Sequence, residues 1–156
     1  MKICNFLKTE HIFLDVAIPD KDNVLQFLAE TGHKTGMVRN RKNLLEGLQR
    51  RENIMSTGVG DGIALPHAAA SDVTDADILL VRLAKPIDFD SLDALPVDII
   101  LALILPEGQT HLHLRLLAGL SRLCKNPEFL ALIRMSRDTQ SLLQALHSLE
   151  EQMAFH

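Results

Sequence analysis

At 156 residues and 47% apolar content, the chain has material for one ordinary domain that buries roughly two thirds of its unfolded surface. A formal net charge of -4 argues against the clustered cationic footprint of a nucleic-acid binder. No apolar run approaches the roughly 18 residues of a membrane span, so neither a signal peptide nor membrane insertion is expected. The two cysteines, Cys4 and Cys124, form no metal or redox motif and fit reduced thiols in a cytoplasmic protein.

Residues 12–18 alternate in polarity toward their end and predict a strand closed by Pro19. Asp20 then caps a helix whose buried side carries Val24, Phe27 and Leu28, with Gly32 as its stop. A second helix is expected from Asn40, with Leu44, Leu45 and Leu48 inward and Arg50, Arg51 and Glu52 in its last turn. There the Arg51 guanidinium can fold back toward whatever His67 binds. Gly58, Gly60 and Gly62 recur at every second position and predict a flexible loop. Ile63-Ala64-Leu65 follows as a short buried strand, and Pro66 holds Leu65 extended. His67 is thereby placed just past a strand end, rigid and reachable from solvent.

Residues 76–84 and 97–105 are apolar runs bounded by Asp or Pro and predict interior strands, with 85–96 as a loop carrying at most one short strand. A helix with Leu112, Leu116, Leu120 and Leu123 down one side follows Thr110. Asn126-Pro127 restarts a helix filled by Phe129, Leu130, Leu132 and Ile133. A last helix from Asp138 carries Leu142, Leu143, Leu146 and Leu149, and the end toward His156 is expected to fray. The sum is an α/β fold: a small central sheet covered by helices on both faces, in a single domain over 1–156 with its core at about 10–150.

Two histidines in Thr110-His111-Leu112-His113 form a second candidate site. On a helix, residues two apart point about 200° away from each other, so one can face a ligand and the other cannot. On a strand both would share a face and, with His67, could hold zinc for a hydrolase, although no HExxH, CxxC or carboxylate cluster accompanies them. No metal and no cofactor are therefore expected. His11, His33, His147 and His156 belong to no constellation. The glycine spacing is no dinucleotide fingerprint, because it follows a helix and opens a strand, and Ser56 lacks the Gly-x-Ser-x-Gly context of a nucleophile.

Glu52, six residues, Val59-Gly60, two more, then Ile63-Ala64-Leu65-Pro66-His67-Ala68 resembles the active-site signature of the mannitol/fructose-type EIIA domains of the bacterial phosphoenolpyruvate phosphotransferase system. The likeness extends to Leu14-Asp15-Val16, Ser56-Thr57-Gly58, Pro86-Ile87-Asp88-Phe89 and Gln109-Thr110-His111-Leu112, and is strongest to the nitrogen-related EIIA proteins, which regulate. It implies the three-layer α/β/α mannitol-type fold. By position, His67 resembles the phosphorylated histidine, carrying its phosphoryl group on the tele nitrogen Nε2. His111 resembles the second active-site histidine, which stabilises that group, and Arg51 the arginine that compensates its charge. Implied partners are an HPr-like donor and, as receivers, regulatory target proteins or an EIIB domain, docking on an apolar face around the exposed histidine. A sugar-transport EIIA that passes phosphate to EIIB is the alternative. Asp61 stands where a neutral residue is common in these domains and Ala68 where Gly is common; a carboxylate at 61 would repel a phosphoryl group unless directed outward.

Overall fold

The computed structural model describes residues 1–154; the fraying expected toward His156 falls on residues outside them. Its sheet is built around β5 (Asp77–Ile87) and β6 (Val97–Pro106), two nearly continuous apolar runs that pair antiparallel with each other. Strands buried on both faces belong in the middle of a layered fold, and the strand order β1 (Leu7–Val16), β5, β6, β3 (Ile63–Ala64), β2 (Gly58–Gly60) places them there. The edge strand β1 (Leu7–Val16) runs parallel to β5 and begins five residues before the expected start at residue 12.

Period-two alternation along β6 divides the core. Ile99, Leu101 and Leu103 face α3 (Thr110–Cys124), α4 (Pro127–Met135) and α5 (Thr139–Met153), where they pack with Leu116, Leu120, Ile133, Leu142 and Leu146. Ile100, Ala102 and Ile104 face α1 (Lys21–Lys34) and α2 (Arg41–Ile54), against Val24, Leu28, Leu44 and Leu48. The result is the expected mixed sheet with helices on both faces. Four helices start where the sequence places a cap: Asp20, Asn40, Asn126 and Asp138 each accept a backbone N–H from the first turn, contacts worth about 1 kcal/mol apiece.

Three local expectations are corrected. Gly32 does not stop α1; it lies inside the helix because α2 crosses there, and a Cβ at 32 would stand 2.8 Å from Leu44 Cδ2. The chain turns at Gly36, which takes φ 81°. Nor do the three glycines form a free loop. β2 (Gly58–Gly60) pairs antiparallel with β3 (Ile63–Ala64), and Asp61 and Gly62 make the hairpin turn with φ of 58° and 80°. Last, His67 does not lie beyond a strand end: it opens β4 (His67–Ala70). Both β3 and β4 run parallel to β6 along the same edge, against Ile99–Ile100 and then Leu103–Pro106. Pro66, which has no N–H to offer, interrupts them, and its carbonyl still accepts from Leu103 N–H at 2.9 Å.

Candidate functional site

The position of His67 follows from that interruption. With Pro66 before it and Leu103 opposite it in the ladder, its backbone is fixed, and its ring turns back so that Nδ1 lies 2.9 Å from the Leu65 carbonyl. A carbonyl oxygen can only accept, so Nδ1 carries the proton and Nε2 keeps the lone pair. Facing Nε2 is Arg51, whose Nε–H donates to it at 3.1 Å while Nη1 donates to the Met55 carbonyl at 2.8 Å, at the C-terminal end of α2. The packing explains this meeting. Gly47 brings α2 close over β4, where a Cβ would stand 3.2 Å from that of Ala68. Arg51 lies one helical turn beyond Gly47, at the level of the residue before Ala68.

The third member is His113. Its ring meets that of His67 edge to face, with centroids 5.2 Å apart and planes at 70°. The sequence-based choice was His111; the ring in contact with His67 here is that of His113. On a helix, residues two apart point in widely different directions, so the two histidines present different faces. His113 shares its face with the buried Leu116, Leu120 and Leu123, three, seven and ten residues on, whereas His111 is exposed and in phase with the exposed Leu114, Arg115 and Ala118. That leucine register was legible in the sequence and selects His113.

His67 is 7% exposed, so the solvent-reachable ring expected from sequence is also corrected. Its cover is polar, however: Arg51 and His113 close over it. Burial, with the neighbouring charge of Arg51 and the nearby His113 adding to it, lowers the pKa of the ring below the usual 6.5, while the Leu65 carbonyl and Glu52 act in the opposite direction. At neutral pH the imidazole is uncharged, and its one lone pair has a defined direction. Such a group can attack an electrophile, and a guanidinium beside it can balance anionic oxygens on what it takes. Zinc would need a third converging ligand. Among the described residues no group of three or more His, Cys, Asp or Glu side chains is placed to hold a metal ion.

Exposed apolar side chains stand at Ile54 and Met55 at the end of α2, Val59 on the hairpin, Leu92 and Leu95 in the loop after β5, and Leu114, next to His113 in sequence. Hairpin and loop are joined by bonds from Leu92 N to Gly58 O (3.0 Å) and from Asp61 N to Asp93 Oδ2 (3.0 Å). Asp61 is exposed at the hairpin turn.

Residues 5–149 match the family model described as "Phosphoenolpyruvate-dependent sugar phosphotransferase system, EIIA 2". A nitrogen regulatory protein of Bradyrhizobium diazoefficiens is 35% identical over 147 residues, covering 94% of this chain and 95% of that protein. Among solved structures, the nitrogen regulatory protein IIA-Ntr of Neisseria meningitidis superposes with a TM-score of 0.85 at 26% identity, over 92% of this chain and 98% of that one. The mannitol enzyme IIA of Escherichia coli, solved in complex with phosphorylated enzyme IIB, shares the fold with a TM-score of 0.77 at 17% identity, over 91% and 99% of the two chains.

Proposed function

The chain belongs to the EIIA type 2 family of the phosphoenolpyruvate-dependent sugar phosphotransferase system, and on that premise we propose that it is a nitrogen-type phosphohistidine carrier, a single cytoplasmic unit that accepts a phosphoryl group on His67 from an HPr-like protein and regulates other proteins according to whether that group is present. The observation that carries this reading is the bond from His67 Nδ1–H to the Leu65 carbonyl, which leaves Nε2 as the nitrogen with a lone pair and turns it toward Arg51.

In the transfer, Nε2 attacks phosphorus in line, the P–N bond of the donor phosphohistidine breaks, and the donor ring leaves with the electron pair of that bond. The proton on Nδ1 of His67 stays in place. The ring becomes cationic as the new P–N bond forms, and the Leu65 carbonyl stabilises that charge. Arg51 moves its N–H groups from Nε2 to the phosphoryl oxygens, and His113 supplies the second donor; both act by position and charge. The exposed apolar rim from Ile54 to Leu114 serves as the docking face that excludes water during the jump. Two relatives support the nitrogen branch: the Bradyrhizobium protein, matched over nearly its whole length, and the Neisseria structure.

Incubation with a phosphorylated HPr-type carrier should add one acid-labile phosphoryl group to the intact protein and none to His67→Ala; undiminished labelling of that variant contradicts the assignment. The sugar-transport alternative draws support from the mannitol enzyme IIA, whose solved partner is an enzyme IIB. It predicts that the phosphorylated protein discharges onto a fructose- or mannitol-type EIIB domain, where the regulatory reading predicts retention.

A further inference from the structure

Glu52 stands in the last turn of α2, where a charge is ordinarily solvated, yet it is 6% exposed and fully engaged. Its Oε1 accepts from the Thr57 backbone N–H (2.9 Å) and forms an ion pair with the Lys21 ammonium (2.9 Å), and its Oε2 accepts from the Thr57 hydroxyl (2.7 Å). Lys21, the first residue of α1, also reaches the Phe89 carbonyl and Asp90 at 3.5 Å and lies 5.1 Å from the centre of the Phe89 ring. One carboxylate thus ties together the start of α1, the end of α2, the approach to the hairpin and the loop after β5.

The connection continues to the acceptor. The Thr57 carbonyl accepts from Leu65 N–H at 2.9 Å, and the Leu65 carbonyl accepts from His67 Nδ1–H at 2.9 Å. On the other side, Glu52 follows Arg51 in α2, so the side chain facing Nε2 is anchored through the same helical turn. Both ring nitrogens are therefore referenced to one buried carboxylate. Buried ion pairs contribute little net stability, because desolvation offsets their attraction, and their better-attested use is to fix register.

We infer that Glu52 and Lys21 are positioning residues for His67: through Thr57 and Leu65 they hold the ring in the tautomer and orientation that present Nε2, and through α2 they hold Arg51 against it. The inference rests on His67 being the phosphoryl acceptor, but its first readout does not depend on any carrier.

The experiment records the nitrogen-15 signals of the His67 ring in the free protein, together with the rate of phosphoryl acceptance from a phosphorylated HPr-type carrier, for Glu52→Gln, Lys21→Met, Lys21→Arg and Thr57→Val. Expected in Glu52→Gln and Lys21→Met are a detectable population of the tautomer protonated on Nε2 and acceptance slowed roughly 10- to 100-fold, the size of effect that a small misplacement of reacting groups produces. In Glu52→Gln the titration midpoint of the ring also falls, since a nearby negative charge is lost. Lys21→Arg should recover most of the rate, which a merely structural loss would not. Thr57→Val removes a single hydroxyl and serves where the charge variants fail to fold. Folded variants with wild-type ring signals and wild-type rates overturn the inference. If the ring signals respond to the substitutions while the wild-type protein accepts no phosphate, the positioning stands and the carrier function falls.

Discussion

The Arg51 guanidinium donates directly to Nε2 of His67, at 3.1 Å. In the resting protein the lone pair assigned to attack is already occupied by an N–H donor, so taking up a phosphoryl group requires that donor to give way. The same donor is then within reach of the phosphoryl oxygens. The proposed transfer accordingly gives Arg51 two separable effects: shielding Nε2 before it and compensating negative charge during it.

Arg51→Met should slow phosphoryl acceptance by about 100-fold, the usual cost of removing one preorganised donor to developing charge. It should also speed acylation of His67 by diethyl pyrocarbonate, because Nε2 loses its cover. Stopped-flow transfer kinetics and mass-spectrometric modification rates read the two effects. A variant that is slower in both assays would contradict the shielding role.

His113→Ala and His111→Ala form a matched pair. The first removes a ring in edge-to-face contact with His67 and should slow transfer by about 10- to 1,000-fold while leaving His67 able to be labelled. The second alters an exposed position and should leave the rate within about twofold of wild type. Single-turnover transfer rates decide between them, and the reverse order would restore His111 to the site.

The pH dependence follows from the lowered pKa of His67. The acceptor must be neutral, so acceptance should persist at pH 6.5, where a free imidazole is half protonated, and should fail only at lower pH. The stability sign is the same. A histidine with a folded pKa below its unfolded value binds fewer protons when folded, so stability is full above about pH 6.5 and is lost as pH falls toward the folded value. His11, 4% exposed and also lowered by burial, adds to that loss. Asp77, raised by burial, acts in the opposite sense within the more acidic carboxylate range. Urea unfolding at pH 7.5 and 6.0 should show the higher stability at pH 7.5, and equal stability at both would contradict the assignment.

Much of the fold was legible because its signals are local. The apolar runs of β5 and β6 read as interior strands, and Asp20, Asn40, Asn126 and Asp138 mark helix starts through the N–H groups they accept. The hairpin of β2 and β3 was hidden because strands of three and two residues carry no periodicity, and its pairing depends on a partner edge on β6. At the site, Pro66-His67 marked the proposed acceptor, and Arg51 could be placed from the end of α2. Glu52 could not be, since a carboxylate in a last helical turn looks solvated until Lys21 and Thr57, far from it or outside the helix, are brought onto it. The sequence reading chose His111, while the ring packed on His67 is that of His113, the member in phase with the buried leucines of α3.

The central claim is that phosphate enters at one particular nitrogen, and phosphorus-31 and nitrogen-15 NMR of the protein after treatment with a phosphorylated HPr-type carrier tests it most directly. The expected spectrum has a single phosphohistidine, at His67, bonded through Nε2 with Nδ1 still protonated. A phosphoryl group on Nδ1, or on any other histidine, would contradict it.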